Sequence, residues 1–328
     1  MTSTLKRLLI GTAALALTAG AALAEDVIIG HFGNPTPMQV ARAEGKFDAA
    51  TGWTIEWRQF GSGTEVIAAM ASGDVQLAEL GSSPLAIGAS QGLDIQLFMI
   101  AEGLGTAESL IARNGSGITT LEDLRGKKVA VPVGSTAHYS LMGALAHAGI
   151  AESEVTIVNL PADQIAAAWD TEQVDAAFIW EPVQNQILQT GTLIVGADQT
   201  AAWGFPTFDG WVVNTEFAAA HPDQMVAFAK TFNAENLAYL ADPAAWTADS
   251  APVMTIAAAT GAAADQVPGI LKGFTFIPLA DQLSPAWMGG AAANMKTTAD
   301  FLVTAGRIDA AIDDYSGFVN TSIAEAAK

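Results

Sequence analysis

Past residue 26 the chain alternates short apolar runs with longer segments of helical period. Val27-Ile28-Ile29-Gly30 reads as a first strand, followed by the loop His31-Phe32-Gly33-Asn34-Pro35-Thr36-Pro37 and a helix over about 38–50. Residues 53–60 alternate with period two, as a half-buried strand does. Gly61-Ser62-Gly63-Thr64 then opens a short helix to Met70. A strand over 75–80 runs into Gly81-Ser82-Ser83-Pro84, where Pro84 suits the first residue of a helix reaching about Gln91, and 95–100 is the next strand. Strands alternating with helices of this length predict a mainly parallel sheet covered on both faces.

The pattern changes at Glu108-Ser109-Leu110-Ile111-Ala112-Arg113-Asn114, a strand that follows a strand with no helix between, so a first crossing between two lobes is expected there. Residues 119–126 form a capped helical turn closed by Gly126. Then Val129-Ala130-Val131-Pro132-Val133-Gly134-Ser135-Thr136 reads as a buried strand, a small-residue turn and a helix starting at the hydroxyls and running to Ala148. Strands over 155–160 and 175–180, with a helix over about 163–171 between them, and a strand at 193–195 complete a second sheet. After the loop 201–208, Asp209-Gly210-Trp211-Val212-Val213-Asn214 is the return crossing, and the rest is helical over 222–240, 243–260 and 285–306. Met225, Phe228 and Phe232 share one helical face, so these helices should pack on the first lobe. The fold class is therefore α/β, with two lobes joined by two crossing strands. Residues 25–114 and 209–328 are assigned to lobe 1 and 115–208 to lobe 2; no sequence repeat relates the two.

The first 24 residues stand apart. Lys6-Arg7, an apolar run over 8–22 and Ala22-Leu23-Ala24 before Glu25-Asp26 make a secretory signal with an A-x-A cleavage site. No other run approaches the roughly 20 apolar residues that span a bilayer. Cleavage would leave 304 residues, enough for two lobes with separate cores. It would also remove two of the 14 basic residues and none of the 34 acidic ones, moving the formal charge from -20 to -22. So acidic a chain is a poor partner for nucleic acid or an anionic membrane. The absence of cysteine excludes disulfides, thiolate metal sites, thiol catalysis and a lipid-bearing N-terminal Cys.

Two turns carry the candidate chemistry. Ser82 and Ser83 in one, and Ser135 and Thr136 in the other, combine hydroxyls with the free N–H groups of a helix start, which suits an oxyanion. Either turn alone is better read as ordinary N-capping. Two turns of one form, both at the carboxyl ends of parallel strands where such folds bind ligands, bring the anion reading level with it. About four charge-assisted hydrogen bonds of roughly 1.5–3 kcal/mol each make micromolar affinity reachable without a buried arginine.

A chain of this charge does not attract a simple anion from a distance, so a zwitterion fits better. Its ammonium group needs carboxylates and aromatic faces. Asp209, between the Trp203 loop and Trp211, is the first choice of carboxylate and Glu108, at the other crossing, the second; both also read as solvated strand-end acids. Trp180 and Trp203 are candidates to stack on the ligand, or else core and rim residues. His138, one turn inside its helix, could donate to the anion or pack as a core histidine, and Asn34, in the loop after the first strand, completes the candidate set. His31, His138, His147 and His221 have no metal-binding spacing, and no nucleophile elbow, phosphate loop or dinucleotide fingerprint is present. No metal, cofactor or catalytic residue is expected.

Taken together, Gly73-Asp74-Val75-Gln76 with Leu80-Gly81-Ser82-Ser83-Pro84-Leu85, Val129-Ala130-Val131-Pro132 with Ser135-Thr136-Ala137-His138-Tyr139-Ser140-Leu141, Val158-Asn159-Leu160-Pro161, and Trp203-Gly204-Phe205-Pro206-Thr207 with Asp209 and Trp211-Val212-Val213 closely resemble the sulfonate/nitrate/taurine-type solute-binding family. Within it they resemble the periplasmic taurine-binding proteins of taurine ABC importers. Each motif is weak, whereas their order and spacing over the whole mature chain are specific. The resemblance implies a type II periplasmic-binding fold that closes on its ligand and docks, as a monomeric shuttle, on a membrane permease driven by a separate ATPase. It also implies sulfonate contacts from Ser82, Ser83, Ser135, Thr136 and His138, with Asp209 as the ammonium partner. Two features depart from the pattern: the loop Phe32-Gly33-Asn34-Pro35, and Glu181, which follows Trp180 where a small residue is expected. An extra carboxylate near the cleft would strengthen cation binding. Other readings are a receptor for another organosulfonate or hypotaurine, an enzyme on the same fold, or a sensory module.

Overall fold

The structure is a computed structural model that describes residues 25–328; the secretory signal expected over 1–24 lies outside the described residues. Its strands are β1 (Asp26–His31), β2 (Thr54–Gln59), β3 (Leu77–Gly81), β4 (Ile95–Leu104), β5 (Glu108–Arg113), β6 (Lys128–Val131), β7 (Thr156–Asn159), β8 (Ala176–Trp180), β9 (Gly191–Gly196), β10 (Phe208–Asn214) and β11 (Phe274–Thr275). They form two sheets, one ordered β11-β4-β10-β3-β1-β2 and the other β7-β6-β8-β5-β9.

Both sheets follow one plan. In the first, β1 runs parallel to β2 and β3, and β10 is inserted antiparallel between β3 and β4. In the second, β6 runs parallel to β7 and β8, and β5 is inserted antiparallel between β8 and β9. Each inserted strand is the one that has just arrived from the other lobe. The topology is thus duplicated although no sequence repeat shows it.

The first crossing lies nearer the N-terminus than expected. β5 pairs only within the second sheet, so lobe 2 begins near residue 108 and not after Asn114. The apolar pattern of β5 suits either sheet, and pairing partners are not written in a strand's own sequence. The return crossing at β10 falls where it was expected.

Lobe 1 packs around Ile29, Leu77, Phe98 and Trp211, with Met225, Phe228 and Phe232 of helix Pro222–Ala241 closing the core as their shared face predicted. Lobe 2 has its own core around Leu110, Val129, Val131, Leu141 and Phe178. The helix expected over 38–50 is broken at Gly45, whose φ of 65° is left-handed, into Met38–Ala43 and Lys46–Thr51. The helix expected over 243–260 shortens to Ala251–Thr260, and helices Val183–Leu188, Ala197–Ala202 and Val267–Gly273 had not been foreseen.

Helix Met288–Thr304 belongs to both lobes. Ala291 and Met295 sit in the lobe 1 core, while the Phe301 ring lies 5.3 Å from Tyr139 and 5.5 Å from Phe205, both in lobe 2. Just beyond, Arg307 pairs with Glu152 of lobe 2. No helix among the described residues is long and apolar enough to cross a membrane.

Candidate ligand-binding site

The carboxyl ends of β3 and β6 bring the two serine-bearing turns face to face. A Cβ on Gly81 would stand 2.8 Å from Thr136 Cγ2, across the interlobe gap, and 3.3 Å from Asp209 Oδ1. Gly81 has an ordinary extended φ of -66°, so glycine serves close approach here and not backbone strain. Gly134, at φ 90°, does need the left-handed region, and its carbonyl accepts the Ser83 hydroxyl at 3.4 Å. Asn159 Oδ1 accepts the Val133 N–H at 3.0 Å and ties that turn to β7.

Three helices start at this cleft: Gly63–Ala71, Ser82–Ser90 and Thr136–His147. Their first-turn N–H groups have no partner inside the helix, and their dipoles put positive potential there. The cleft between them is lined among others by Phe32, Asn34, Glu108, Ser135, Trp180 and Asp209.

The hydroxyls of the two turns already have partners within the protein. Ser135 Oγ accepts the His138 N–H at 3.1 Å as an N-cap, Ser82 Oγ accepts the Phe208 N–H at 3.3 Å, and Thr136 Oγ1 donates to Glu108 Oε2 at 2.6 Å. Ser83 donates to Gly134, so Ser83 and Thr136 spend their hydrogens within the protein, whereas Ser82 and Ser135 accept in these bonds and keep an O–H to donate. The donors left for an anion are those two hydroxyls and the backbone N–H groups of the helix starts.

Opposite them is a dense acidic group. Asn34 Nδ2 donates to Glu79 Oε1 at 3.1 Å, Glu102 Oε1 at 3.1 Å and Asp209 Oδ2 at 3.2 Å, and Glu79 Oε2 also accepts the Phe32 N–H at 3.1 Å. Oxygens of the three acids lie within 4.8 Å of one another, all buried. Two full charges about 4 Å apart repel by roughly 4 kcal/mol at an effective dielectric constant of 20. Burial, and then the Glu79 charge, push Glu102 and Asp209 well above the usual carboxylate range. Burial also raises Glu79, against the Phe32 N–H, Asn34 and the nearby Arg42 guanidinium, which favour its charge. Glu108, buried and bonded to Thr136 and Ser140, is pushed up to about 8. The amide turns an N–H into this group, so the site is built for hydrogen-bond donors: an ammonium group suits it.

Asp209, Glu108, Asn34, Ser135, Thr136 and Trp180 line one cleft. Ser82 and Ser83 sit at its edge through the bonds given above. Trp180 of lobe 2 faces Phe32 of lobe 1, ring centroids 6.5 Å apart, which puts aromatic surface on both sides. His138 and Trp203 are not brought in. The His138 ring is fully buried with neither nitrogen hydrogen-bonded, and burial, with Arg307 nearby, lowers it to about 4. The expected donation from His138 to an anion thus has no geometry behind it; only its backbone N–H works, on Ser135. Trp203 stacks flat on His147 at 3.8 Å, so its ring packs within lobe 2 and not on a ligand. Glu181 also points elsewhere: it accepts the Asn185 N–H at 3.1 Å and lines a separate hollow with Gln184 and Asp265.

Sequence reasoning passed over Glu79 and Glu102. The signal was available, since each is a lone acid inside an otherwise apolar strand, Leu77-Ala78-Glu79-Leu80 and Met99-Ile100-Ala101-Glu102. A charge in such a run is buried and must find partners. The helix start at Gly63 was read as a helix but not as part of the site.

Two duplicated α/β lobes that close over a small cleft, with helix N-termini on one side and acids on the other, define a ligand-binding protein of the type II periplasmic-binding fold. The chain belongs to the NMT1/THI5-like family, whose model matches residues 32–245. It is 39% identical over 309 residues to the taurine-binding periplasmic protein of Escherichia coli K12, covering 94% of this chain and 96% of that one. Among solved structures, the alkanesulfonate-binding protein SsuA from Xanthomonas axonopodis pv. citri, bound to MOPS, matches with a TM-score of 0.78 at 20% identity, over 92% of this chain and all of that one. The periplasmic aliphatic sulphonate binding protein SsuA from Escherichia coli matches with a TM-score of 0.72 at 20% identity, over 90% and 92%. At that identity the two structures establish the fold.

Proposed function

We propose that the protein captures taurine in the interlobe cleft and hands it to the membrane permease of an ABC importer. The observation that carries this is the adjacency at Gly81, where Thr136 of one helix start and the Asp209 carboxylate both come within 3.3 Å of a single point. A ligand there meets positive helix ends and a carboxylate a few ångströms apart, so its anionic and cationic ends must be joined by a short chain. A two-carbon aminosulfonate has that form. The sulfonate would take the backbone N–H groups of the Ser82 and Thr136 helix starts, and the ammonium Asp209 and Glu108. Phe32 and Trp180 would cover the methylenes.

The family relative named for taurine supports the same ligand. Its name also supports a periplasmic location for this chain, in keeping with the secretory signal read at 1–24. A separate ATPase would drive the permease, and the receptor would work as a monomer. A carrier is the reading favoured over an enzyme, because the relative that matches 94% of this chain is named as a binding protein.

Calorimetry with taurine, ethanesulfonate and β-alanine tests the assignment. Taurine should bind at micromolar Kd or better; ethanesulfonate, which lacks the ammonium, and β-alanine, which carries a planar carboxylate in place of the sulfonate, should each bind at least about tenfold more weakly, the value of a charge-assisted bond. Equal binding of taurine and ethanesulfonate would remove the ammonium role given to Asp209.

A further inference from the structure

The acids of this site greatly outnumber the cations that could balance them. Glu79 on β3, Glu102 on β4 and Asp209 on β10 converge within 4.8 Å, and Glu108 on β5 borders the same cleft. Around them, Arg42 of helix Met38–Ala43 is the one cation among the described residues acting on this cluster, through Glu79. His31 on β1 does not add a second. It is buried against Arg42, Nε2 to Nη1 at 3.1 Å, and burial and that guanidinium lower it to about 4, so it is neutral. The Asn34 amide has two hydrogens for three carboxylates. Ionising all three side by side is costly, and Glu102 is the natural holder of a proton: Asn34 is its one hydrogen-bond donor among the described residues, and burial, then the Glu79 and Asp209 charges, hold it well above the usual carboxylate range.

We propose that ligand capture is coupled to proton release: the empty cleft stores protons on the Glu79, Glu102, Asp209 and Glu108 cluster, and an arriving ammonium group expels about one of them to solvent. This rests on the reading of the ligand as an aminosulfonate. The ammonium donates N–H bonds to Asp209 and Glu108, and its charge offsets the repulsion that kept the cluster protonated; the O–H bond of Glu102 breaks, its electron pair stays on that carboxylate, and the proton passes to buffer. Glu79 and Glu102 do not line the cleft, so they act through Asn34 and Asp209 as positioning residues. The consequence is an affinity that falls with acidification, by up to about tenfold per pH unit where one proton is exchanged.

Two readouts test this on the intact mature protein. Infrared spectra of the ligand-free protein at neutral pH should show a protonated-carboxyl C=O band that weakens when taurine saturates it, and Glu102→Gln should reduce the band. Calorimetry of taurine binding in phosphate and in Tris at one neutral pH should give enthalpies that differ by the buffers' ionisation heats times roughly one proton. Absence of the band in the ligand-free protein, or equal enthalpies in both buffers, overturns the coupling. Should taurine fail to bind while the band is present, the stored proton stands and only the ligand assignment falls.

Discussion

Asn34 and Asp209, 175 positions apart in the chain, are joined by a hydrogen bond of 3.2 Å from the amide nitrogen to the carboxylate. The bond links the loop after the first strand to the return crossing, and through Glu79 and Glu102 it ties β3 and β4 to the same point. Replacing Asn34 with Leu would leave these acids without their common donor. The expected cost is about 1–3 kcal/mol at neutral pH. Urea denaturation reads it, and an unchanged midpoint with unchanged slope would mean that the amide contributes no net stability.

Asp209→Asn keeps the shape and removes the charge. Taurine affinity should fall by roughly tenfold to a hundredfold, the loss of about 1.5–3 kcal/mol from one charge-assisted bond. Ethanesulfonate binding should not weaken, because it has no ammonium to lose. Parallel titrations of the two ligands make the comparison.

Gly81→Ala puts a methyl group 2.8 Å from Thr136 Cγ2 of the opposed lobe, a tighter contact than the 3.3 Å to Asp209 Oδ1 and Pro84 Cδ of its own lobe. The lobes should fold as before and close less fully, with about 1–3 kcal/mol of overpacking set against ligand-bound closure. Taurine affinity drops while the melting temperature without ligand is nearly kept. A large fall in that melting temperature would show that the site serves folding instead.

Phe301→Ala removes the ring that reaches Tyr139 and Phe205 from a helix rooted in lobe 1. The ring is half-buried, so its loss should cost about 1–2 kcal/mol. We expect that cost mainly in taurine affinity, as a weaker union of the lobes, with small-angle scattering showing a more open average shape.

Stability without ligand should fall as pH rises from about 6.5 to above 8. Glu181 is pushed up to about 7 and Glu108 to about 8 by burial, against 4.5 when unfolded. A carboxyl raised on folding holds its proton in the native state, so its cost grows with pH until it ionises. His31 and His138, both lowered to about 4 from 6.5, act in the opposite sense between those values, which confines the clean test to the upper window. Glu181→Gln should gain on the order of 2 kcal/mol over the natural protein above pH 8 and nothing near pH 5. Thermal scans across this range would check both slopes.

Much of this was legible without coordinates. The strand-helix alternation and the two turns at Gly81 and Gly134 stand in the local pattern of small, hydroxyl and apolar residues. Asp209 and Glu108 were picked out as acids at crossings, and both line the cleft. Less legible was direction: His138 and Trp203 have the right chemistry at plausible positions, yet one ring is buried away from the cleft and the other lies against His147.

The sequence by itself determined the elements, the two-lobe α/β plan and the turns, because strand and helix periods, glycine torsions and capping hydroxyls act over a few residues. Only the tertiary structure decided that β5 pairs in lobe 2, that Glu79, Glu102 and Asp209 meet at Asn34, and that Ser83 and Thr136 donate within the protein while Ser82 and Ser135 accept. Those outcomes depend on contacts between residues tens to hundreds of positions apart. Nothing in a local pattern fixes which strand lies beside which, or whose charge a buried carboxylate must share.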